Sequence, residues 1–318
     1  MEQKQGYWGW LAAGYLFLAA LGAMIVSTVA IMDILDIKVV SQINGWISLV
    51  ALVLAGVGSL FLMVELTHIF RAYLIYARPS SIMCIGSYLL TAFLGLTFIY
   101  ATFFFDFIPW AGLVVIRKIV AVLTIVSALG LVAYPGLELA EARGRTFWNG
   151  GGLVALFITN GAATGLAGVN IMLVLFGLGV SQYVMVLNLI LTITLIIQLT
   201  MISSYLWGIK LTGAKEAQAS VASLVTGTYR FKFMGIVVSI GTVVPLILGF
   251  FGSLPQLVVV AAVLVLVGGL LFRRVFLAVA LRIVMPGEEN QTISDKEAAQ
   301  LAIRLEKCWA QKAGWLKN

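Results

Sequence analysis

Eight apolar runs, each long enough for the roughly 20 residues that a helix needs to cross a bilayer core, decide what this chain folds into. They lie near 8–32, 43–65, 82–108, 113–135, 152–176, 178–208, 231–253 and 255–283. In lipid every backbone N–H and C=O must find its partner inside the spanning segment, so runs of this kind read as helices. Composition agrees: the 318 residues are 62% hydrophobic and 10% charged, against about 25% charged in soluble domains. The expected fold is an all-α polytopic membrane protein with about eight transmembrane helices, in contact with membrane lipid.

The basic residues sort by loop. One face would hold Lys4, Arg71, Arg78, Arg143, Arg145, Lys210, Lys215, Arg230, Lys232, Arg273, Arg274 and Arg282, together with the basic residues of the tail. The other holds Lys38, Arg117 and Lys118, beside Asp33, Asp36 and Asp106. By the positive-inside rule, both termini are expected in the cytoplasm, with the chain in the cell inner membrane. The net charge of +7 therefore reflects topology. No basic stripe interleaved with aromatics points to nucleic acid. The first run follows MEQKQGYWGW directly, without a small-residue cleavage site, so it is expected to remain a span.

Cofactor chemistry is limited by what the chain lacks. Two cysteines, Cys84 and Cys308, cannot supply the four thiolates of an iron–sulfur cluster, and the single histidine, His68, cannot form a bis-histidine haem site. Neither group is expected in this chain, nor is a metal site.

Ionisable groups in a membrane are costly and mark candidate sites. In VELTHIFRAY, the spacing of Glu65, His68 and Arg71 sets an acid, an imidazole and a cation on neighbouring helical positions. A quinone exchanging two electrons and two protons needs hydrogen-bond partners that also move protons, and Glu65 and His68 suit that work. An interfacial Glu–Arg pair with a snorkelling histidine accounts for the same letters by fixing helix depth.

A second cluster, AYPGLELAEARGRTFWN, has Tyr134 at the end of a run and Pro135-Gly136 expected to break or bend it. Glu138, Glu141, Arg143, Arg145 and an interfacial Trp148 follow. Tyr134 would donate to a quinone carbonyl, while Glu138, Arg143, Arg145 and Trp148 would meet a partner; a re-entry loop with an aromatic anchor is the simpler alternative. In RPSSIMCIGSY, Arg78, Pro79 and Ser81 suit a tight loop and helix start facing the same partner. Asn160, Thr164, Asn170, Asn188 and Gln198 are expected to bond between helices. Asp106, Arg117 and Lys118 are expected to neutralise one another or, less simply, to begin a proton route. After Pro286, Ser294 and Glu297 form a capping box opening an amphipathic tail helix.

The stretches RPSSIMCIGSYLL, AYPGLELAEARGRTFWN with LVALFITNGAATGLAG, SVASLVTGTYRFKFMGIVVSIGTVVPLIL and GGLLFRRVFLAVALR occur in an order that resembles the NrfD/polysulfide-reductase membrane-subunit family from Trp8 to about Arg282. The resemblance implies two four-helix bundles. It also implies a menaquinone or ubiquinone site, a ferredoxin-like iron–sulfur subunit and, often, a molybdopterin catalytic subunit. The family's quinone-site tyrosine falls on Tyr134, and a polar residue early in the first helix of some members falls near Tyr15. In polysulfide reductase the partners are periplasmic, whereas the basic loops here indicate the cytoplasm. That makes a cytoplasm-facing member, such as the anchor of a quinone-linked sulfite dehydrogenase or of a DMSO-reductase-type enzyme, the nearer analogue.

The organisation expected is thus a first bundle with the quinone site over 1–135, a second bundle over 136–285, and a cytoplasmic tail over 286–318. The function expected is a quinone-binding membrane anchor that exchanges electrons with an iron–sulfur partner and is not catalytic alone. A secondary transporter is the rival, although its binding residues belong at the midplane of interrupted helices. A purely structural anchor is the third reading.

Overall fold

Apolar runs longer than a bilayer core become helices in the computed structural model, which describes residues 8–37, 41–65, 73, 75–77, 81–142, 144–178, 182–250, 254–282, 300, 303 and 304. In chain order these are α1 (Trp10–Ile34), α2 (Ser41–Glu65), α3 (Ile82–Thr102), α4 (Val114–Ala140) and α5 (Leu153–Leu173), followed by a π-helical turn π1 (Val174–Leu178). Then come α6 (Gln182–Thr212), α7 (Lys215–Val225), a π-helix π2 (Phe231–Val243), α8 (Val244–Phe250) and α9 (Pro255–Val279). Among the described residues, eight segments are long and apolar enough to cross a membrane, π2 and α8 together forming the seventh. No strand occurs among the described residues.

The spans pack as two rings of four. α1 contacts α2, α2 contacts α3, α3 contacts α4, and α4 returns to α1. The second ring repeats this order: α5 on α6, α6 on π2 and α8, these on α9, and α9 back on α5. The rings meet through α1 against α5 and α9, and through α4 against α5. α1 is the most enclosed span, and its seam with α5 is set by small residues. A methyl on Gly165 would stand 2.3 Å from the Met24 Cβ, so only glycine allows this approach.

Three features depart from the expected layout. α4 does not end at Pro135 but continues through it to Ala140. Proline removes one backbone donor from the ladder, and burial of Tyr134, Pro135, Gly136 and Leu139 against neighbouring helices holds the last turn together. The seventh span opens in π register, where the Ser239 and Thr242 hydroxyls donate to the Met234 and Val237 carbonyls five residues back. Where the charge pattern alone indicates a connecting loop, α7 buries Ala217, Ser220, Val221 and Leu224 at helical spacing. The Ser220 hydroxyl then accepts the Leu281 N–H just beyond α9. The tail forms a separate unit from Ile283, and its capping box, Ser294 and Glu297, lies outside the described residues.

Candidate functional site

One turn of helix separates Tyr134 from Glu138, which puts both on one face of α4. The Tyr134 hydroxyl and the Glu138 carboxyl lie close enough there to interact directly. Tyr15 of α1 is close enough to interact electrostatically with both. Both tyrosines are 5% exposed, Glu138 is half-buried, and Glu141 beyond it is exposed. The result is a chain of polar groups running from two enclosed phenols through a carboxyl to the surface at one end of the first ring. Chemically, it offers hydroxyls to bind an oxygen acceptor and carboxyls to exchange its protons with water.

The rest of the predicted set is dispersed. Glu65 ends α2, and its side chain lies outside the described residues, as do His68, Arg71, Arg78, Pro79 and Arg143. Ser81 is exposed and occupies the N-cap position of α3. Arg145 donates to the Ala280 carbonyl and lies 5.4 Å over the Trp148 ring. Burial, and then the nearby Arg282, lower its pKa from the ordinary arginine value. Trp148 is 3% exposed, and its indole N–H donates to the Phe276 carbonyl at 3.0 Å. Arg145 and Trp148 thus tie the 141–152 connection to the end of α9. A cavity of 620 Å³ between α1, α5 and α6, lined by Met24, Thr28, Leu166, Leu187 and Ile190, contains none of the predicted residues.

At the other end of the first ring, Arg117 and Lys118 take partners different from those expected. Arg117 grips Asp33 with two nitrogens at 2.9 and 3.1 Å, and Lys118 pairs with Asp36 at 2.8 Å. The reason is that α1 ends beside the start of α4, which brings Asp33 in the last turn of α1 and Asp36 just beyond it to Arg117 and Lys118.

Sequence reasoning missed Arg273. The charge pattern groups it with the loop cations, yet it is fully buried in α9. One guanidinium nitrogen donates to the Asn160 side-chain oxygen of α5 at 2.9 Å, and the group lies 5.9 Å from the Phe17 and Phe157 rings. Its other two nitrogens have no hydrogen-bond partner. The available signal was its place inside the apolar run 255–283, beside Phe272. The polar residues expected to bond between helices divide. Asn160 does so with Arg273, and Asn188 donates to the Gly249 carbonyl at 3.3 Å, whereas the Thr164 hydroxyl bonds within its own helix and the Asn170 side chain is buried without a partner.

The pattern of the family described as polysulphide reductase, NrfD, matches residues 1–285, which take in all eight spans. The chain belongs to the NrfD family. No curated protein matches it. The NrfD match ends where the tail begins, so the polar segment from 286 onward stands outside the family's common part. Tyr15, Tyr134 and Glu138 all fall within it.

Proposed function

We propose that this NrfD-family chain is the quinone-binding membrane subunit of a respiratory oxidoreductase, passing electrons between membrane quinone or quinol and the iron–sulfur subunit of a molybdopterin enzyme. The observation that carries the reading is the grouping of the buried Tyr134 and Tyr15 with Glu138 at one end of the first ring. These groups fit a quinone: two phenol donors suit its carbonyl oxygens, and a carboxyl beside them suits proton exchange. A bound quinone supplies two-electron, two-proton chemistry that no side chain here provides.

In this reading Tyr134 and Tyr15 bind and orient the oxygens. Glu138 holds a proton at its carboxyl oxygen and passes it toward Glu141 at the surface. The aliphatic walls of α1, α3 and α4 exclude water from the tyrosines. Glu65 and His68 remain proposed proton-transfer groups at the same end of α2, by their place in the sequence. The iron–sulfur partner would dock over 78–81 and 138–148, where Ser81 and Glu141 are exposed, and would face the cytoplasm as the basic loops indicate.

The test is Tyr134→Phe and Tyr15→Phe in the purified complex, with quinone-coupled and artificial-dye turnover measured side by side. Loss of the first with survival of the second is expected. Full quinone turnover in both variants would overturn the assignment.

A further inference from the structure

Buried ionisable groups of the first ring collect at its two ends. Between them, α1 from 16 to 32, α2 from 43 to 64, α3 from 89 to 99 and α4 from 119 to 133 contain no ionisable side chain. At the end away from Tyr134, every helix of the ring contributes to one cluster. Asp33 of α1 is 7% exposed and accepts from Arg117 of α4 at 2.9 and 3.1 Å, and from the Tyr100 hydroxyl of α3 at 3.3 Å. The Arg117 guanidinium lies 5.2 Å over the ring of Phe104. α2 closes against the same residue, since a methyl on Gly45 would stand 2.9 Å from the Phe104 Cβ. Lys118 and Asp36 form a second pair beside it.

Below this cluster the interior is mostly apolar, and the buried Thr97 hydroxyl of α3 has no hydrogen-bond partner. Phe93 is fully buried, and the hydroxyls of Ser27, Ser48, Thr124 and Ser127 donate to carbonyls of their own helices instead of to one another. A chain of protons needs donors and acceptors facing each other, and these are turned back on their own backbones.

We infer that the Asp33–Arg117–Tyr100 cluster is a seal closing one end of the first bundle, so that water and protons reach Tyr134 and Glu138 only from the end that carries Glu141. The bidentate pair joins α1 to α4 while its charges satisfy each other, the Tyr100 hydroxyl adds α3, and the Phe104 ring packs against the guanidinium. Resting on the proposed quinone reading, this makes proton traffic at the tyrosine pair one-sided. Electrons exchanged there would move without protons crossing this bundle.

The seal can be read without any turnover. Ser127 lies ten residues along α4 from Arg117, about 15 Å into the bundle, and is buried. The full complex carrying S127C, in sealed vesicles, is treated with a membrane-impermeant thiol reagent from each face. E141C reports which face is which, and the wild-type chain, whose Cys84 is buried, sets the background. S127C should stay at background from the Asp33 face and become severalfold more reactive there when D33N or the milder Y100F is added. Labelling of S127C from the Asp33 face at the rate of an exposed cysteine, with the cluster intact, would overturn the seal, as would no change in either combined variant. A pH probe on the Asp33 face during quinone turnover should record no change. If the complex shows no quinone turnover, the quinone reading fails while the labelling result still decides the seal.

Discussion

Gly86 of α3 lies against the ring of Tyr134 so closely that a methyl group on it would stand 2.3 Å from the Tyr134 Cζ, the carbon that bears the hydroxyl. α3 therefore fixes where that hydroxyl points, although Gly86 has no side chain to contribute. Gly86→Ala must move the tyrosine or part the helices, and overpacking of this kind costs about 1–3 kcal/mol. Quinone-coupled turnover should fall as in Tyr134→Phe, with dye activity of the partner retained. Unchanged turnover and an unchanged unfolding temperature would show that the ring has room to shift.

Glu138→Gln keeps the size of the side chain and an acceptor for the Tyr134 hydroxyl, but it removes the exchangeable proton. If Glu138 relays protons, quinone turnover should drop by about 10²-fold or more, while quinone binding, measured by inhibitor titration, stays near normal. Equal losses in binding and turnover would assign Glu138 to holding Tyr134 in place.

Arg273 is a buried cation whose only hydrogen bond is to Asn160. Replacing a buried polar pair by apolar residues of similar volume is often neutral or stabilising by about 1–4 kcal/mol. The double variant Arg273→Met with Asn160→Leu should unfold at or above the wild-type temperature in the same detergent. Arg273→Met alone, which orphans the Asn160 oxygen, should fall below it. A large loss in the double variant would mean that the charge itself is needed.

Trp148→Phe removes the hydrogen bond to the Phe276 carbonyl and reshapes the platform under Arg145. The expected loss is about 1–2 kcal/mol of stability, read by thermal unfolding. Co-purification of iron–sulfur subunits from the same preparation tests the docking role. Retention would place Trp148 in the scaffold of the 141–152 connection, and loss would place it in the docking surface.

The eight spans were legible because a bilayer imposes one length and one polarity on every helix, so each apolar run maps to a span within a few residues. Tyr15 and Tyr134 were placed through the family resemblance, and the fold brings them together. Glu138 read as a docking charge, because letters do not tell which way a half-buried carboxyl turns, and the turn depends on Tyr134 four residues earlier. The pairing of Asp33 with Arg117 links residues 84 apart, a distance at which charge pattern gives opposite signs but no partners. Arg273 was hidden for a related reason. A cation near the end of a run looks like loop punctuation until α5 supplies Asn160 and α1 supplies Phe17. The π register of the seventh span leaves no mark in composition, since each residue there also suits an α-helix.

Asp33 also constrains the order in which the chain is made. It lies in the last turn of α1, yet Arg117 is translated 84 residues later and Tyr100 67 residues later. Until α4 is threaded, the carboxylate has no cation on α3 or α4 to meet it, and it must stay near the head groups, where water still reaches it. The mature depth of α1 is then reached only by lateral association, when α4, α5 and α9 arrive to enclose it. A nascent chain arrested after α3 should hold α1 loosely and leave it open to protease at its Asp33 end, and release through α4 should withdraw that site.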